Sequence, residues 1–171
     1  MTNSGVMDNA DWIAILSSLA SVSVALIGFS GLLIAFRSAN APLSRMDMVY
    51  IRILLIFSLG ALVFALLPLP FADVASDRLW PAMTLLLAAF LLLWPLRSPF
   101  WNRARGIKPR RPYFYWGVLG AEAILALYLA WTVADGSADG GSYALGVAWC
   151  LLVTIVSFVS QVFSQLPVDE G

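Results

Sequence analysis

The chain has 171 residues, 61% hydrophobic and 12% charged, with ten basic and ten acidic side chains that balance to zero net charge. That length sets a single domain, and that composition excludes a water-soluble globule with a polar shell. With no histidine and one cysteine, Cys150, the chain lacks the commonest metal ligand and the usual general base, and it can form no internal disulfide.

Five long apolar runs follow one another, at about 12–36, 48–68, 79–96, 114–134 and 143–166. At about 1.5 Å of rise per helical residue, each can span a hydrocarbon core of about 30 Å. The expected fold is therefore all-α: a polytopic integral membrane protein, a five-transmembrane-helix bundle forming one membrane domain over 1–171. The first run follows Asp8 and Asp11 and far exceeds the apolar region of a signal peptide, so it reads as a retained helix. Ser44, three residues before Asp47, has the spacing of a capping box for the second helix, which Pro68 and Pro70 should stop. Pro81 is expected in the first turn of the third helix, after Asp77, and Pro95 and Pro99 are expected to end it. A basic loop over 97–113 leads to the fourth helix. Gly136, Gly140 and Gly141 are expected to make the tight turn into the fifth, which Pro167 should close.

Charge is segregated between the gaps. Arg37, Arg45 and Arg52 lie at one set of run ends with the six cations of the basic loop, whereas Asp8, Asp11, Asp73, Asp77, Asp135 and Asp139 lie at the other, with Arg78 their one cation. The positive-inside rule then places the N-terminus outside and the C-terminus inside. Trp12, Trp80, Trp131, Tyr143 and Trp149 fall near outer ends and Tyr50, Trp94, Trp101 and 113–116 near inner ends, as an aromatic belt requires. Nine arginines to one lysine, with abundant alanine and leucine, point to a bacterial source and hence to the cytoplasmic (inner) membrane.

Two helices carry stripes at helical spacing. Ala14, Ser17, Ser21, Val24, Gly28, Gly31 and Ala35 line one face of the first; Cys150, Thr154, Ser157, Gln161 and Ser164 line one face of the fifth. Small residues let helices approach closely in lipid, so these faces read as helix-packing surfaces or, less simply, as the walls of a polar path. Glu122 stands apart, about 12 Å into the fourth helix, where an ionised carboxylate must be paired, hydrated or protonated. An intramembrane polar cluster is expected around it, with Arg52 as ion-pair partner and Gln161 and Ser157 in support. Arg97, Arg103, Arg105, Lys108, Arg110 and Arg111 form the basic loop, which suits anionic lipid headgroups on the cytoplasmic side. That loop has no glycine-rich phosphate cradle and no aromatics interleaved through its centre, so nucleic acid is not an expected partner.

Catalytic signals are absent: paired intramembrane carboxylates, a Gly-x-Ser-x-Gly elbow and metal ligands at usable spacing are all missing. No catalytic, cofactor-binding or metal-binding residue is therefore expected. The leading expectation is a small non-enzymatic membrane protein acting through helix–helix contacts, as a homo-oligomer or an accessory subunit of a membrane complex. The alternatives are a small ion or solute channel or transporter, including a regulated membrane-permeabilising effector, using Glu122 and both stripes, and a lipid-handling membrane enzyme.

Overall fold

A computed structural model of the protein describes residues 9–40, 45–71, 76–104 and 112–163. Five α-helices account for nearly all of them: α1 Asn9–Asn40, α2 Arg45–Leu66, α3 Ser76–Ala104, α4 Pro112–Ala134 and α5 Gly140–Phe163, with a short 3-10 turn at Leu69–Phe71. No strand occurs among the described residues, and all five helices are long and apolar enough to cross a membrane. Ser44 and Pro167 lie outside the described residues.

The helix ends follow from local chemistry, with one departure. Pro68 has no N–H to give, and α2 closes just before it, with the Leu67 amide on the Val63 carbonyl at 2.8 Å. Pro95 and Pro99 do not end α3, which runs through both to Ala104 and begins early enough to put Pro81 in its second turn. An interior proline removes one hydrogen bond and bends the helix; it does not oblige the chain to leave the helical path.

The link from α4 to α5 is built from two complementary caps. Gly136 adopts φ +74°. Its amide bonds the Val133 carbonyl at 3.2 Å, and the next amide, Ser137, bonds the Thr132 carbonyl at 2.9 Å, which is the Schellman pattern. At the start of α5, Asp139 accepts from the Ser142 amide through Oδ1 at 2.8 Å, while the Asp139 amide donates to Ser142 Oγ at 3.0 Å. Gly140 and Gly141 are not part of the turn. They are the first residues of α5, and they are small because the Trp12 ring lies flush against them.

Helix α5 occupies the centre, packing against each of the other four, while α1 pairs with α2 and α3 pairs with α4. Its inward residues Tyr143, Val147, Cys150 and Thr154 are all fully buried. Between α2 and α3 the gap is filled by rings, with Phe57 edge-on to Phe90 and Trp94 at 6.0 and 5.7 Å, and Phe64 tilted against Phe90 at 5.2 Å. Gly60 makes room for Phe90: a Cβ there would stand 2.7 Å from the ring tip. Leucines 16, 54, 87, 91 and 129 complete the buried core.

Candidate functional site

Glu122 is the most unusual side chain in the bundle. On α4 the buried seam reads Leu119, Glu122, Ala126 and Leu129, so the acid fills a position that its neighbours give to apolar packing. Tyr113, Trp116, Ile124, Leu127, Tyr128 and Trp131 face outward on the opposite side of the same helix. Glu122 is 0% exposed, and neither carboxylate oxygen has a hydrogen-bond partner among the described residues.

Across the helix interface, Cys150 of α5 lies within electrostatic reach of Glu122. Their juxtaposition follows from connectivity, since each stands fourteen residues from Gly136, the turn of the α4–α5 hairpin. Two antiparallel helices of equal rise bring such residues to one level. That symmetry about the turn is a signal the sequence reading missed, because Cys150 carried no charge or motif of its own.

Arg52 is exposed on α2, and no hydrogen bond joins it to Glu122. Depth along a helix can be read from residue number, but the two side chains leave their helices toward different surroundings. Ser157 is buried on α5, seven residues and about 10 Å of rise beyond Cys150. Gln161 is four residues further along α5, and its side chain lies outside the described residues. Thr154 is also buried, and its hydroxyl is already bonded to the Cys150 carbonyl at 2.8 Å.

The two stripes part company. On α5, Cys150, Thr154 and Ser157 point inward. On α1 every member of the stripe, Ala14, Ser17, Ser21, Val24, Gly28, Gly31 and Ala35, is exposed, while Leu16, Ala20, Ser23 and Ser30 face the bundle. A Cβ built on Gly28 or Gly31 meets nothing within 4 Å. Several α1 hydroxyls bond back to their own helix, Ser18 to the Ala14 carbonyl and Ser21 to the Ser17 carbonyl, both at 3.1 Å. This outward face is therefore small and open, with little hydrogen-bonding demand of its own.

Of the basic loop, Arg97 is exposed on α3 and Arg103 lies on the extension of that helix. Arg105, Lys108, Arg110 and Arg111 lie outside the described residues, as does Ser164. Among the described residues no group of three or more histidine, cysteine, aspartate or glutamate side chains could hold a metal ion. Compared with protein families, characterised proteins and solved structures, the chain matches none.

Proposed function

We propose that the protein is a five-pass protein of a bacterial cytoplasmic membrane that works by lateral helix contact, with its N-terminus outside and its C-terminus inside. In this reading it is not an enzyme. The outward face of α1 meets a helix of a second copy or of a larger membrane assembly, and the basic loop rests on anionic lipid. The observation that carries this reading is the exposure of the whole α1 stripe, with open space above Gly28 and Gly31. In lipid there is little hydrophobic drive between helices, so association favours surfaces where backbones can come close, and glycine and serine at this spacing supply one. A channel using both stripes is less well supported, because the α1 stripe is exposed on the outside of the bundle while Glu122 is buried within it.

Cysteine crosslinking in native membranes tests the contact. With Cys150→Ser as background, Ser21→Cys is expected to give a crosslinked species, and Ser23→Cys on the buried face of α1 is not. Equal crosslinking from the two positions, or none from Ser21→Cys, rejects the reading.

A further inference from the structure

We infer that Glu122 is an occluded proton-binding site, holding a neutral carboxylic acid at the interface of α4 with α5. The inference is independent of the contact made by α1.

The argument is one of elimination among the ways a buried acid can be satisfied. An ionised carboxylate without a hydrogen bond, inside apolar packing, is among the most costly arrangements a protein interior can hold. Pairing with a cation would relieve it, but Arg52, Arg78 and Arg97, the cations whose side chains are described, are all exposed. Hydrogen bonds would relieve it, but both oxygens lack a partner among the described residues. Hydration would relieve it, but the side chain is completely occluded.

Titratable neighbours do not favour the charge either. Helices α3 and α5 pack against α4. From α5 the facing group is the Cys150 thiol, which brings no positive charge, with Tyr143 further toward the turn. From α3 the described ionisable groups are Arg78 and Arg97, near the two ends of its span.

A metal ion is a poor fit for the same place. Hard cations need about six or more oxygen ligands, and the seam offers one carboxylate beside Leu119, Ala126 and a thiol. The Thr154 hydroxyl is already committed to its own helix. A proton needs only the carboxylate. Because the site is closed, that proton can exchange with water only when the helices packed around Glu122 move apart.

The chain itself makes the test clean, because it has just two glutamates, Glu122 and Glu170. Protein carrying isotope-labelled glutamate carboxyls and Glu170→Gln, reconstituted into lipid vesicles, reports Glu122 alone by infrared spectroscopy with no substitution at the site. At neutral pH the labelled band is expected at the carbonyl stretch of a protonated acid, and it should persist in Cys150→Ser. On transfer to heavy water it should shift slowly. Labelled carboxylate bands without the acid band overturn the proton assignment, and a shift complete at once overturns the occlusion.

Discussion

Tyr143 of α5 donates its phenolic hydroxyl to the backbone carbonyl of Phe64 in α2, at 2.5 Å. The carbonyl is available because its ordinary helical donor would be residue 68, and Pro68 has no N–H. A side chain 79 positions away thus repairs the bond that the proline removes. Tyr143→Phe should cost about 1–3 kcal/mol by leaving a part-buried carbonyl unpaired. Pro68→Ala returns the missing amide, so Tyr143→Phe should cost less in that background. A double-mutant cycle on thermal unfolding in detergent measures the difference, and strictly additive losses contradict the repair.

Gly140→Ala drives a Cβ into the five-membered part of the Trp12 ring, which is rigid and anchored on α1. Gly146→Ala meets Leu87 Cδ2 at 2.6 Å and Leu129 Cδ1 at 2.9 Å, which are ends of flexible side chains. The first substitution should destabilise by about 1–3 kcal/mol and the second by less. Trp12→Leu should soften the penalty at Gly140 and leave that at Gly146 unchanged. Melting temperatures of the parent, the three single variants and the two double variants check the ranking.

The two caps of the α4–α5 link make separate claims. Asp139→Ala removes an acceptor from the first turn of α5 and should cost about 1 kcal/mol. Gly136→Ala keeps every hydrogen bond of the turn but places a side chain at φ +74°, costing about 1–2 kcal/mol through the backbone alone. Gly136→Asn should recover part of that loss, because asparagine tolerates the left-handed region better than alanine. Chemical denaturation of the three variants separates cap from strain.

Gly28→Leu and Gly31→Leu should leave the stability of a single chain nearly unchanged, since no atom lies within 4 Å of either added Cβ. Both should weaken lateral association in the membrane several-fold if α1 meets another helix there. Single-molecule counting or crosslinking yield in native lipid reads the association, and thermal unfolding reads the fold. Losses of stability as large as those at Gly140 would place these residues in the interior instead.

What sequence could show was set by periodicity and punctuation. The five helices are legible because each apolar run is long, and Pro68 and Gly136 mark real ends because backbone chemistry acts locally. The passage of α3 through Pro95 and Pro99 was not legible, because a lost hydrogen bond bends a helix as readily as it ends one. Nor was the direction of the α1 stripe. In a chain this apolar the outward and inward faces share one composition, so spacing identifies a face without saying what it meets. Glu122 is legible as an acid deep in a helix because its residue number gives its depth. Depth does not say which way a side chain leaves its helix, so it cannot choose between Arg52 and Cys150, which stands as far beyond Gly136 as Glu122 stands before it.

The central place of α5 also has a bearing on biogenesis. The four helices it touches all precede it in the chain, so α1 with α2, α3 with α4 and the rings between α2 and α3 are all made before α5 is. Until α5 is made, the Phe64 carbonyl lacks its Tyr143 donor and Trp12 lacks the Gly140 and Gly141 backbone that lies against its ring. A chain cut before Gly140 would therefore keep four of the five helices and lose the one that packs against all the others.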